Sequence, residues 1–178
     1  MRNMAGDKTG ALAALKTGTK DHPDAAALHL VLANEYMAAG RNPEAISEYE
    51  RTRVLAPKNI VAWNNLAWLY HQQGDAKALE YARKARDLEP KKPEVLDTYG
   101  WIELMQGDPA KGLQAIQNAA VFGPHIPSVQ YHLAVAQNRN GRPDAARKTL
   151  TRLLKSGKAF PEKDEAKKLL SQLDSASR

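Results

Sequence analysis

The residues best equipped for chemistry stand together in "WNNLAWLYHQQGD", residues 63–75, which holds two of the chain's three tryptophans, two adjacent asparagines and a histidine. Rigid aromatic rings supply contact area, and side-chain amides hydrogen-bond an extended peptide backbone, so such a stretch suits binding. Catalysis finds less material. The five histidines (His22, His29, His71, His125, His132) form no HxxxH or HExxH pair, the arrangement that puts two imidazoles on one helical face for a metal. There is no cysteine, hence no thiolate nucleophile, no disulfide and no cysteine-bound metal. Gly-x-Ser-x-Gly is absent, and "GDPAKG" at 107–112 lacks the Lys-Ser/Thr that closes a phosphate loop. These residues point to a chain that is not an enzyme, with no cofactor and no metal, and to binding as its work.

What must position them shows in three combs of one period. Gly6, Gly40, Gly74, Gly107 and Gly141 are spaced 34, 34, 33 and 34. Pro23, Pro57, Pro90 and Pro124 follow at 34, 33 and 34, and Ala11, Ala45, Ala78, Gly112 and Ala146 at 34, 33, 34 and 34. All three share one missing residue just after Gly74, which marks a repeat architecture. The 43 % hydrophobic content, with only two Phe, is mostly Ala and Leu and favours helix over sheet.

Each period reads as two amphipathic helices. Over 60–73, Ile60, Trp63, Leu66, Ala67 and Tyr70 keep three-and-four spacing. Gly74 then supplies the left-handed conformation that ends a helix, and Asp75 caps the next. That second helix carries Ala78, Leu79, Ala82, Ala85 and Leu88 on one line, and Pro90 stops it. Asp108-Pro109 and Asn42-Pro43 both read as a cap followed by proline at the first helical position.

This period and residue choice resemble the tetratricopeptide repeat (TPR) family, whose helix–turn–helix unit carries Trp-x₂-Leu-Gly-x₂-Tyr. The nearest copies are Trp63-x₂-Leu66-Ala67-x₂-Tyr70 and Leu96-x₂-Tyr99-Gly100, followed by His29-x₂-Leu32-Ala33-x₂-Tyr36 and Gln130-x₂-Leu133-Ala134. The resemblance implies an all-α, right-handed superhelical solenoid. Its expected units are the second helix of a truncated repeat at 1–25, repeats at 26–59, 60–92, 93–126 and 127–157, and a C-terminal capping helix and tail at 158–178. Such arrays serve as scaffolds for a protein or peptide partner.

In TPR solenoids the first helix of each repeat lines a concave groove. The resemblance places Asn64, Asn65, Trp68, His71 and Gln72 on that groove. One period on come Asp97, Trp101 and Met105, then Tyr131 and Asn138, and one period back Asn34. Trp68 and Trp101 occupy equivalent places. They either anchor a partner or fill the narrow inside of the superhelix. One TPR subfamily clamps a C-terminal carboxylate with lysine, arginine and asparagine. Asn34 and Asn65 match its asparagines, but Leu30, Glu94 and Thr98 stand at the cationic places and cannot bind a carboxylate.

The ends carry further expectations. Ala11, Leu15 and Pro23 match Ala45, Tyr49 and Pro57, so 8–20 reads as a second helix without its first. That fits either a piece cut from a longer array or a natural N-terminal cap. The exposed edge of this helix could pair two copies into a homodimer. In "KAFPEKDEAKKLLSQL", acids early and lysines later complement the helix dipole of a capping helix. Residues 142–178 hold ten of the 26 basic and five of the 20 acidic residues. The basic excess is therefore terminal rather than a stripe, which speaks against nucleic acid. No apolar run is long enough to span a membrane. "LDTYGWIELMQGDPAKGLQAI", "VQYHLAVAQNRNGRPDAARKTLTRLL" and "FPEKDEAKKLLSQL" resemble the C-terminal part of bacterial PEP-CTERM and exopolysaccharide-system TPR proteins. That resemblance implies a periplasmic or envelope-associated scaffold for exopolysaccharide or envelope-protein export, with a cytoplasmic one as the alternative. A larger parent with an upstream catalytic domain is a further alternative.

Overall fold

The computed structural model describes residues 8–176, which form ten α-helices and, among those residues, no strand. Gly6, the first tooth of the glycine comb, lies outside the described residues. The helices are α1 (Lys8–Asp21), α2 (Ala26–Ala38), α3 (Asn42–Leu55), α4 (Ile60–Gln72), α5 (Lys77–Leu88), α6 (Pro93–Gln106), α7 (Pro109–Phe122), α8 (Pro127–Arg139), α9 (Pro143–Lys155) and α10 (Lys163–Ser175). Helices α2–α3, α4–α5, α6–α7 and α8–α9 pack as hairpins, and each hairpin packs on the next, with α1 and α10 at the ends. This is the all-helical repeat solenoid that the period predicts.

Backbone chemistry explains most of the punctuation. Gly40, Gly74 and Gly141 all adopt φ of 69° or 70°, the left-handed turn that ends a first helix. Gly107 does not. Its φ is −124°, and a Cβ there would run into the carboxylate of Glu103, so this glycine is kept for space. Asp108 caps α7 as expected, accepting the N–H groups of Ala110 (2.9 Å) and Lys111 (3.3 Å). Asn42 does not cap α3. It lies inside the helix, Arg41 takes the capping place without a side-chain bond, and the Asn42 amide donates to Gln72 at 3.3 Å instead.

Within a hairpin, small residues let the two helices approach. Ala33, Ala45, Ala67, Ala78, Ala134 and Ala146 are fully buried at these crossings. In α6–α7 the crossing is Gly100 against Gly112, closer still. A Cβ on Gly112 would lie 2.6 Å from the Leu104 nitrogen and 2.8 Å from the Gly100 oxygen.

Between hairpins, the junctions use the same register with different side chains. At the first, Lys16 of α1 lies over the Tyr36 ring of α2. At the second, the hydroxyls of Tyr70 and Tyr81 both donate to Glu50, at 3.0 and 2.9 Å, beneath the Arg53 guanidinium. Burial and the nearby Glu50 carboxylate push the Tyr81 hydroxyl up to about 12. At the third, Glu103 is 1 % exposed and accepts from the Tyr99 hydroxyl (2.9 Å), Arg83 (3.1 Å) and the Asp108 N–H (3.1 Å). At the fourth, the contact is mainly apolar: Leu113 and Ile116 cluster with Leu133 and Ala136, and the Asn140 amide donates to the Pro109 carbonyl at 3.1 Å.

Candidate functional site

First helices α4, α6 and α8 touch one another in succession, so the array bends with its first helices inside. The candidate groove residues lie on these helices and on α2. Several are already engaged. The buried Tyr49 hydroxyl donates to the Asn34 side chain (2.6 Å) and receives the Asn65 amide (2.7 Å), tying two candidate amides together. Burial raises this hydroxyl's pKa, against the Asn65 bond that lowers it. Gln72 is exposed and takes the Asn42 amide.

Asp97 and Trp101 meet a residue of the next first helix. Asp97 is buried, and one of its oxygens lies 2.8 Å from Nδ1 of His132, itself buried. The His132 ring is layered on Trp101, with centroids 4.2 Å apart and planes 32° from parallel. Trp101 also packs against the cluster of Leu104, Leu113, Ile116, Leu133 and Ala136. Trp68 has no such layer; Thr98 stands one period before His132, and the near ring is His71 at 5.8 Å. The two tryptophans are thus equivalent in register and different in surroundings. Met105 takes a 2.9 Å contact from Arg139. Tyr131, Phe160, Leu169 and Leu170 all pack against one cluster, Ala134, Ala146, Leu150, Ala166 and Leu173, which joins α8, α9 and α10. Asn138 is half-buried on α8.

Among the described residues, three buried side-chain atoms have no hydrogen-bond partner: Asn64 Oδ1, His71 Nδ1 and Asp97 Oδ1. All three belong to α4 and α6, and Asn64 and Asp97 are one period apart. Burial lowers the His71 pKa, against a bond from its ring N–H to the Gln106 oxygen that raises it, so the balance favours the neutral ring. The Asp97–His132 pair was the part that sequence reasoning missed. Asp97 stands on the groove line and His132 beside Tyr131 of that line, and their separation of 35, one period plus one, was the available signal. No group of three or more metal-ligating side chains occurs among the described residues.

Fold and inner face together define a helical-repeat scaffold. A family model described as tetratricopeptide repeat matches residues 5–60, 30–93 and 99–164, and the chain belongs to that family. Members of this family generally act as non-catalytic scaffolds for protein–protein contact. The TPR repeat-containing protein PA4667 of Pseudomonas aeruginosa is 31 % identical over 110 residues, covering 60 % of this chain. The chain matches 18 % of the length of that relative. Among solved structures, MamA superposes with a TM-score of 0.72 at 22 % identity, over 91 % of this chain and 86 % of that one. YrrB, titled as a TPR protein with an unusual peptide-binding site, gives 0.68 at 18 % identity, over 83 % of this chain and 77 % of that one. No helix among the described residues is long and apolar enough to cross a membrane.

Proposed function

We propose that the chain is a non-catalytic scaffold that holds a protein or peptide partner along the inner face of α4, α6 and α8. The observation that carries this is the placement of the unpartnered buried atoms. Native proteins satisfy nearly all buried polar groups, and exceptions call for an explanation. Here Asn64, His71 and Asp97 leave theirs on the inner helices, beside a half-buried Trp68. A partner backbone supplies the missing bonds once these side chains turn toward it, and the indole supplies contact area. YrrB, with its titled peptide-binding site, offers a precedent on the same fold. Trp68→Ala is the cleaner probe, because Trp101 is also layered on His132. Trp68→Ala should weaken capture of the native partner while the melting temperature holds. A collapse in melting temperature with capture unchanged would make the indole a packing residue and end the proposal.

The finer reading, a scaffold in exopolysaccharide or envelope-protein export, rests on the resemblance of "LDTYGWIELMQGDPAKGLQAI" and its neighbours. Partners recovered by pull-down with the intact chain should then include export or polymer-assembly proteins. Recovery of unrelated cytoplasmic enzymes alone would reject it.

A further inference from the structure

A cleft of about 560 Å³ opens between α5 and α7, on the outer side of the third junction. The repeat register explains why it is there. At the second junction the equivalent space is filled by rings: Trp63 and Tyr81 stand edge to face, centroids 5.1 Å apart, with the Arg53 guanidinium 5.1 and 5.5 Å from them. One period later Leu96 stands at the place of Trp63, Ala115 at that of Tyr81, and Arg86 at that of Arg53. Two rings are gone and the guanidinium is kept. Arg86 lies 4.5 Å from the Tyr99 ring and lines the cleft.

The charge of the cleft is one-sided. Arg83, Arg86 and Lys111 line it, against a single lining carboxylate, Glu103. Both oxygens of Glu103 are taken, by Tyr99, Arg83 and the Asp108 N–H. Arg86 holds Asp87 at 2.7 Å, whereas the nearest acid to Lys111 is Asp108, at 3.9 Å. Gln114 and Asn118, exposed amides one turn apart on α7, form the far wall and can hydrogen-bond a main chain.

We propose that this cleft binds a partner segment in which an aromatic residue stands beside aspartate or glutamate. The ring takes the space that Trp63 and Tyr81 fill one junction earlier and lies against Arg86, as indole and phenol do against Arg53. The neighbouring carboxylate meets Arg83 and Lys111. Gln114 and Asn118 bond the backbone, which favours a peptide over a free aromatic acid. This surface uses the Leu96, Tyr99 and Glu103 side of α6 and not the Asp97, Trp101 and Met105 side, so it stands whether or not the inner face binds.

The test uses the whole chain, ¹⁵N-labelled, titrated with acetyl-Glu-Trp-Glu-amide. Saturable amide shifts are expected around Arg86, Tyr99 and Ala115. Acetyl-Lys-Trp-Lys-amide, acetyl-Glu-Ala-Glu-amide and N-acetyltryptophan should each bind about tenfold more weakly. Ala115→Tyr restores the ring that the previous junction carries and should abolish the shifts. Arg86→Gln, which leaves the cleft open, should weaken binding about tenfold and covers the case in which Ala115→Tyr does not fold. Binding that survives both variants, or shifts that gather on Trp68 and Trp101, would overturn the site. Equal affinity for the lysine peptide would overturn the charge argument, and equal affinity for N-acetyltryptophan the assignment to a partner segment.

Discussion

Glutamine in place of Glu103 should remove about 3 kcal/mol of stability at neutral pH, although it preserves the shape of the side chain. Three donors converge on this carboxylate, and only 1 % of the residue is exposed. A glutamine oxygen can still accept from Tyr99 and Arg83, but its NH₂ then faces the Asp108 N–H, donor against donor. One bond is lost outright, and the other two fall from charge-assisted strength, about 1.5–3 kcal/mol, to about 1 kcal/mol each. The Arg83 share is discounted because its side chain is 50 % exposed. For a chain of this size, about 3 kcal/mol corresponds to about 6–12 °C in melting temperature.

The pH dependence sharpens the test. Burial pushes the Glu103 carboxyl up, but the Asp108 N–H, Tyr99 and Arg83 outweigh it and hold the pKa below its ordinary value of 4.5. A carboxyl depressed in the folded state stabilises above its unfolded pKa, and that stability is lost as pH falls through the folded pKa. The gap between wild type and Glu103→Gln should therefore be full at pH 7 and shrink below about pH 4. Urea melts followed by circular dichroism at pH 7, 5 and 3.5 measure it. A gap under about 0.5 kcal/mol at pH 7, or one that does not change with pH, would refute the reasoning.

Three further outcomes follow from the packing. Gly112→Ala should destabilise by about 1–3 kcal/mol despite the better helix propensity of alanine, because its Cβ meets backbone that cannot rotate away; urea melts decide it. Tyr49→Phe should cost about 1–2 kcal/mol, since it removes the hydroxyl joining Asn34 to Asn65, and hydrogen exchange should show faster opening of α3 and α4. His71 is held neutral by burial, so its contribution is present above the unfolded histidine pKa and lost as pH falls below it; melting temperatures at pH 7 and 5 should drop less in His71→Gln than in wild type.

The hairpins were legible because their punctuation acts at the level of the backbone. Gly40, Gly74 and Gly141 do the same work at the same φ, and the period exposes them. Gly107 carries the same letter for another reason, the bulk of the Glu103 carboxylate, which appears only when both are placed in space. Asn42-Pro43 looked like Asp108-Pro109, yet Arg41 takes the capping place and the Asn42 amide serves Gln72. On the inner face, periodicity grouped Asn34, Asn65, Asp97 and Trp101 on one line. It could not tell that Tyr49 and His132 already hold them, because those partners come from other helices. Glu103 was invisible for the same reason, an acid on a helix whose three donors lie in α5, in α6 and in the turn before α7.

The differing junctions also specify neighbours. Hairpins of one backbone shape could stack out of order, or onto a hairpin of another copy. Were α6–α7 to dock on α3 instead of α5, Glu50 would stand where Arg83 now meets Glu103, setting two carboxylates together at a buried place. Like charges so apposed cost far more than a neutral contact. Docked in the right order, the same glutamate finds its guanidinium. Charge thus tells α5 from α3 as the predecessor of α6–α7.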